Sequence, residues 1–346
     1  MKIVVDINHP AHVHFFKNFI WEIRKKGHEV LITASEKDIA CKLLDSYGFD
    51  YINLGSYGAH LAKKLINLPL MDLKMYKAIR SFKPDLFIGL ASFRAAHTSF
   101  LLRKKCIIFD DTEHRKEIWL YLPFIPAVFN PSCFKKDLGK KQTRYNGYHE
   151  LAYLHPHYFT PNPEVLKEIR LSENEKFFII RFVSWQAIHD LGEKGFSIAG
   201  KRRLIKELGR YGRVIITSES HLPEEFEKYK MPISPTKIHD LLYYATLYIG
   251  EGATMASEAT VLGTPAIFVS SITAGTLEEQ EKRYGLLYSF RNEDEAIKKA
   301  LDLLKTKELK QQWQKKREIM LKDKIDVTAW IVDLIEKKIY PNEMAK

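Results

Sequence analysis

The stretch Pro235-Thr-Lys-Ile-His-Asp-Leu-Leu-Tyr-Tyr-Ala-Thr-Leu-Tyr-Ile-Gly-Glu-Gly-Ala-Thr-Met-Ala-Ser-Glu-Ala-Thr-Val-Leu-Gly-Thr-Pro-Ala-Ile-Phe-Val269 reads as helix, strand, glycine turn, helix, strand without a break. Leu241, Leu242 and Ala245 share one helical face, and Leu247 to Ile249 is a short apolar strand. Gly250 and Gly252 bracket a turn, and a helix from Ala253 to Leu262 is closed by Gly263 and Pro265 before the strand Ala266 to Val269. This is a βαβ unit. A glycine turn that feeds straight into a helix aims the N–H groups of Ala253, Thr254 and Met255 past the strand end, where anions bind. Glu258 follows Thr254 by one helical turn, so its carboxylate can face the same opening and accept hydrogen bonds from neutral hydroxyls. Phosphates at the helix tip and a diol at the carboxylate make a nucleotide site.

Glycines before a helix are common, and a plain strand-to-helix turn is the competing reading. The carboxylate favours the site, because a Glu among Met255, Ala256, Ala259, Val261 and Leu262 is costly to bury unpaired and is expected to face a polar ligand or solvent. The pattern Gly-Glu-Gly-Ala-Thr-Met-Ala-x-Glu-Ala-x-x-Leu-Gly-Thr-Pro resembles the donor-nucleotide signature of glycosyltransferase-B-fold proteins, among them the peptidoglycan N-acetylglucosaminyltransferase and the UDP-N-acetylglucosamine 2-epimerases. That resemblance implies that Gly252 to Met255 hold a diphosphate and that Glu258 holds a uridine ribose. The whole chain most resembles the domain-of-unknown-function 354 family of predicted glycosyltransferases.

The N-terminal half alternates strand and helix in the same way. Ile3 to Ile7 is a strand, Asn8 to His14 is read as a loop turning into a helix, and Phe15, Phe16, Phe19, Ile20 and Ile23 form that helix's inner face. Strands at 30–34, 51–54, 86–90 and 106–109 follow, with a last one in 122–131. Such alternation implies a parallel, doubly wound sheet whose ligands sit at the carboxyl ends of the strands. By resemblance, the loop at 8–14 matches the glycine-rich loop after the first strand of the glycosyltransferase-B fold, with His12 at that motif's histidine. Pro10 and Ala11 stand where the family has glycines, which reduces backbone donation there. His9, His12 and His14 also have metal-like spacing, and an unassigned surface cluster is a third reading. Asp110-Asp-Thr-Glu-His114 is the densest titratable cluster of this half. Adjacent carboxylates point to opposite sides of an extended chain, so Asp110 or Asp111, not both, can share an opening with Glu113 or His114. The resemblance carries a catalytic carboxylate onto Glu113, whereas a helix cap by Asp111 or Thr112 is the plainer alternative.

In the second half, Arg181 interrupts the apolar run Phe177 to Val183; a buried guanidinium there would need an anion. His189 and Asp190 lie in the polar loop that follows, and by resemblance Glu278, near the start of the helix after Gly275, would hold donor sugar hydroxyls. The proline-dense stretch His155 to Pro163 suits a hinge. The expected division is therefore a domain at 1–150, a linker at 151–165, a second domain at 166–325, and a segment from 326 that by resemblance crosses back to brace the first.

A formal charge of +11 over 346 residues attracts anions of any kind. There is no arginine-rich tail and no RNP, zinc-finger or helix-turn-helix pattern, which argues against nucleic acid. Lys63, Lys64, Lys74, Lys77, Arg80 and Lys83 line one side of an amphipathic stretch between 57 and 83, which reads either as a solvated face or as peripheral contact with an anionic membrane. No run of about 18 apolar residues occurs, and Met1-Lys-Ile-Val-Val-Asp6 is a strand rather than a signal peptide. Cys41, Cys106 and Cys133 lack ligand spacing and suit core thiols of a reducing cytoplasm.

The expectation is thus an α/β chain of two Rossmann-like domains facing across a cleft. By resemblance it moves a sugar from a nucleoside diphosphate, with UDP first, to an acceptor hydroxyl, a lipid-linked one among the options. No metal or other cofactor is expected. His12 first and Glu113 second would be the base, with His9, Asp111, His114, His189 and Asp190 lining the cleft. A UDP-N-acetylglucosamine 2-epimerase is the nearest alternative, although Gly89-Leu-Ala-Ser92 lacks the acidic residue that epimerases carry after the fourth strand. A non-catalytic nucleotide-sugar or polyanion binder is the third.

Overall fold

The computed structural model describes residues 1–36, 39–56, 61–115, 117–172, 174–183, 195–218, 223–230, 233–271 and 273–339; for 61–66, 338 and 339 only the backbone is described. Backbone contacts divide the chain into two compact units, Met1–Tyr153 with Ile325–Lys346, and Leu154–Lys324.

The first unit holds β1 (Lys2–Ile7), α1 (Pro10–Lys25), β2 (Glu29–Ala34), α2 (Ala40–Ser46), β3 (Tyr51–Asn53), α3 (Leu61–Ile79), β4 (Leu86–Leu90), α4 (Phe93–Leu101), β5 (Lys105–Phe109), β6 (Ala127–Pro131), β7 (Gln142–Tyr145) and α5 (Leu151–Leu154). The seven strands form one parallel sheet in the order β3-β2-β1-β4-β5-β6-β7. The expected loop at 8–14 is mostly helix. Pro10 takes the first helical position, where its missing N–H and fixed φ cost nothing, and His9 caps it through Nδ1, accepting from the Ala11 N–H at 3.2 Å. β7 carries the polar run Gln-Thr-Arg-Tyr at the sheet edge, with no apolar period to betray it. Pro69 lies inside α3, removing one backbone donor without ending the helix. Of the three thiols only Cys106 is a core residue; Cys41 and Cys133 are half-buried.

The second unit holds α6 (Glu164–Glu168), β8 (Phe177–Phe182), α7 (Ile198–Leu208), β9 (Arg213–Ser218), α8 (Glu224–Glu227), α9 (Ile238–Tyr244), β10 (Leu247–Gly250), α10 (Ala253–Val261), β11 (Ala266–Val269), α11 (Gly275–Lys282), β12 (Leu287–Phe290), α12 (Glu293–Leu304) and α13 (Leu309–Asp323). Its parallel sheet runs β12-β11-β10-β8-β9. The edge strand β12 is not read from the sequence: four residues after a helix give no period to count.

The chain then returns to the first unit as α14 (Val327–Asp333). Trp330 stacks on Tyr145 with ring centroids 4.8 Å apart and meets Phe129 edge-on, while Thr328 Oγ1 donates to Ala152 O at 2.8 Å. Among the described residues, no helix is long and apolar enough to cross a membrane.

Each sheet reverses its winding once. In the first unit the reversal separates β1 from β4, and in the second β8 from β10. Connections leave to opposite faces there, so a crevice opens at the carboxyl ends of those strand pairs.

Candidate functional site

At the reversal point of the second unit, Gly250 ends β10 opposite Arg181 of β8. A Cβ on Gly250 would lie 2.6 Å from Tyr248 Oη and 2.8 Å from Arg181 Cβ, so a glycine is required for the two strands to close. Gly252 is the N-cap of α10 and supplies no capping side chain; among the described residues a Cβ there would meet nothing nearer than 3.5 Å. The first i→i−4 bond runs from Ala256 N–H to Gly252 O at 3.1 Å. The N–H groups of Ala253, Thr254 and Met255 precede it and point out of the helix end, with Thr254 exposed.

Between the glycines, Glu251 is 3 % exposed. Its Oε2 accepts from Val183 N–H at 2.8 Å and its Oε1 from Phe196 N–H at 2.7 Å. One carboxylate therefore ties the end of β8 and the approach to α7 to the turn. His189 and Asp190 fall between those anchor points and lie outside the described residues.

Glu258 is buried, and its partner is internal to the chain: His239 Nε2 on α9 lies 2.9 Å from Oε1, with both side chains less than one-tenth exposed. The expectation that burial required a ligand or solvent is corrected by this histidine. Arg181 departs from expectation in the other direction. It is half-buried rather than enclosed, one residue before the carboxyl end of β8, and its Cγ stands 3.5 Å from where a Gly252 Cβ would be. The structure thus brings Arg181, the Gly252 turn, the α10 tip and Glu258 onto the carboxyl edge of one sheet. Glu278 sits in the first turn of α11, 2.5 Å from Lys282 Nζ, and lines an open pocket of about 270 Å³ with Ser270, Thr273, Glu281 and Arg291. No residue of the Gly252 turn lines that pocket.

The first unit's reversal point is filled by a polar network that sequence reading missed. Asp6 of β1 is fully buried and accepts from Arg94 (2.7 Å), Thr33 (2.7 Å), Ser92 (2.5 Å) and Asn8 (2.8 Å). Arg94 is fully buried too and also donates to Asn8 Oδ1 at 2.5 Å. The network fixes Asn8, whose N–H donates to His12 Nδ1 at 3.2 Å. That bond leaves the neutral ring's proton on Nε2. His14 is buried and packs on Tyr47 and Tyr153 instead. Among the described residues, His9, His12 and His14 do not converge as a metal-ligand set.

At the end of β5 the two aspartates diverge. Asp110 is buried, accepts from Tyr121 Oη at 2.6 Å and from Thr112 N–H at 3.0 Å, and so closes a turn rather than starting an α-helix. Burial raises its pKa against the pull of Arg115 and these bonds. Asp111 turns to His149 Nδ1 at 3.0 Å. Burial disfavours charge on both partners, yet the pair's mutual attraction prevails: Asp111 is lowered and His149 raised. His149, two residues past Gly147 and stacked parallel to Tyr145, gave no signal in the sequence beyond its type. Glu113 is half-buried and accepts from Lys135 N–H at 2.7 Å, while His114 is exposed. His9, His12, Asp111, Glu113 and His114 all follow the carboxyl ends of β1 and β5, which share an edge of the parallel sheet.

A family model described as "Protein of unknown function (DUF354)" matches residues 1–338. The chain belongs to that family. It is also 24 % identical over 278 residues to the uncharacterized protein MJ0665 of Methanocaldococcus jannaschii, covering 77 % of this chain and 81 % of that protein. Among solved structures, a putative UDP-N-acetylglucosamine 2-epimerase from Listeria monocytogenes superposes with a TM-score of 0.69 at 15 % identity, over 100 % of this chain and 98 % of that one. The UDP-GlcNAc 2-epimerase of Neisseria meningitidis, bound to UDP-GlcNAc, gives 0.67 at 15 % over 93 % and 99 %. The spinosyn rhamnosyltransferase SpnG, complexed with spinosyn aglycone, gives 0.63 at 12 % over 97 % and 100 %. These likenesses establish the fold of the DUF354 chain: two parallel-sheet α/β domains of the glycosyltransferase-B class.

Proposed function

We propose that this chain binds a nucleoside diphosphate sugar, a UDP-sugar first, on its second unit and transfers the sugar to an acceptor hydroxyl. What carries the reading is the coincidence of three anion- and diol-recognising elements at the reversal point of one sheet: the α10 tip with no capping side chain, Arg181 beside it, and the buried Glu258 carboxylate one helical turn further in. The α10 N–H groups and the Arg181 fork would hold the diphosphate, whose charge grows as the bond from sugar to phosphate breaks. Glu258 would accept from the ribose hydroxyls. Glu278, at the carboxyl edge of the same sheet, would meet the sugar. The assignment uses no metal, since N–H groups and a guanidinium supply the positive field.

For the acceptor proton, the hydrogen bonding in the first unit supports Glu113 ahead of His12, the reverse of the order expected from sequence. His12 accepts at Nδ1 and in this reading would orient the acceptor, while Glu113 would be the first base. Exposed Leu70 and Leu73 on α3, beside exposed Lys74 and Lys77, support a lipid-linked acceptor at an anionic surface.

Epimerisation is the second reading, favoured by the TM-scores of 0.69 and 0.67 to epimerases. Against it, the run Gly89-Leu-Ala-Ser92 after β4 lacks the acid that epimerases carry there, and Ser92 is occupied in capping α4 and donating to Asp6. Incubation with UDP-N-acetylglucosamine alone separates the two, since an epimerase yields the manno isomer without an acceptor. For either reading the nucleotide site is tested by titrating UDP calorimetrically into the wild-type chain and into Glu258→Ala. The expected loss is roughly 1–3 kcal/mol, that of hydrogen bonds to a charged group; equal affinities in a folded variant would remove Glu258 from the site.

A further inference from the structure

We infer that His239 is a positioning residue of the nucleotide site, holding the Glu258 carboxylate in the orientation that a ligand's diol requires. The inference rests on the nucleotide reading above and adds to it a residue that the sequence pattern did not single out.

The geometry is specific. A carboxylate only accepts, so the 2.9 Å contact fixes His239 Nε2 as the donor to Glu258 Oε1. His239 is 2 % exposed and Glu258 6 %, so water does not substitute for this bond. The imidazole is itself held, edge-on to Phe159 with centroids 6.3 Å apart. Three rotatable bonds separate a Glu carboxylate from its backbone, and choosing one rotamer when a ligand binds costs affinity. A rotamer already chosen in the unliganded chain spares that cost. α9, which carries His239, runs directly into β10 and the glycine turn. The piece of chain that delivers the phosphate site therefore also delivers the residue that sets the ribose site.

The shapes of the amide side chains give the test. A Gln amide nitrogen reaches the place of imidazole Nε2, whereas an Asn amide reaches only that of Nδ1. UDP affinity is measured by calorimetry for His239→Gln, His239→Asn and His239→Leu, with melting temperatures recorded alongside. The expected pattern is rescue by one amide: Gln within about threefold of wild type, Asn and Leu weaker by about tenfold or more, where tenfold corresponds to 1.4 kcal/mol. If Leu does not fold, the Gln-to-Asn contrast still decides. Asn binding as tightly as wild type, or Gln losing as much as Asn, overturns the positioning role and leaves His239 as packing that affects melting alone. Failure of the wild-type chain to bind UDP saturably overturns the nucleotide reading itself, and this inference with it.

Discussion

Replacing Arg94 by Met is expected to destabilise the first unit by about 3–5 kcal/mol, the usual cost of removing one partner of a buried ion pair. The guanidinium is the one cation bonded to Asp6 in the described network, and both residues are fully buried. Without it, the Asp6 carboxylate retains Thr33, Ser92 and Asn8 as donors but has no countercharge in a region closed to water. Asn8 loses a donor as well, and with it the constraint on the turn that presents His12. The double change Asp6→Leu with Arg94→Met removes both charges. It is expected to be more stable than Arg94→Met alone, because apolar pairs often replace buried ion pairs at little cost. Denaturant midpoints for the two variants decide this. An Arg94→Met midpoint equal to wild type would show that the pair carries no structural burden.

The second large effect is expected at Glu251→Ala. Truncation leaves the Val183 and Phe196 N–H groups without their acceptor, and an unsatisfied buried donor costs about 1–3 kcal/mol. The Phe196 bond is buried and the Val183 bond only partly so, so the two together are expected to cost roughly 2–4 kcal/mol, confined to the second unit. Hydrogen exchange at those two amides should accelerate in the variant while the β1–β4 amides of the first unit keep their protection. Glu251→Gln is expected to fall between, since its amide keeps one oxygen and sets an N–H against another N–H. Unchanged protection at residues 183 and 196 in Glu251→Ala would remove the tie.

These two effects also mark where the sequence was readable. The βαβ run around residues 235–269 fixed its own strands, turn and helix because period, glycines and proline act locally, and the placement of Gly252 to Met255 followed from that. Partners distant in the chain left no such trace. Asp6 was visible as a charge inside a strand, but Arg94 lies 88 residues away and only strand order brings them together. Glu258 was visible as a carboxylate in an apolar helix, and the inference that it needed company was sound physics; the company was His239, 19 residues earlier. A rule that buried charges come in pairs would have prompted a search for a second titratable group in the same βαβ unit, and His239 is inside it. Glu251 was hidden for a different reason. Flanked by glycines, it carried no signal of its own in the turn, whereas the turn folds it inward to bond two backbone groups of other segments. β7 and β12 were missed because edge strands of four residues can be polar or short without losing their ladder. The 8–14 segment was read as a loop because proline and three histidines mask a helix start, although proline at the first helical position is one of the signals for it.

The most direct test of the nucleotide site is amide hydrogen exchange of the wild-type chain with and without saturating UDP. Binding at the α10 tip would place phosphate oxygens on the N–H groups of Ala253, Thr254 and Met255, the amides ahead of the helix's first internal bond. The predicted result is slowed exchange at those three amides, with smaller protection extending to residues 239–252. Protection by UDP elsewhere, with residues 253–255 unchanged, would contradict the assignment of the nucleotide to this turn.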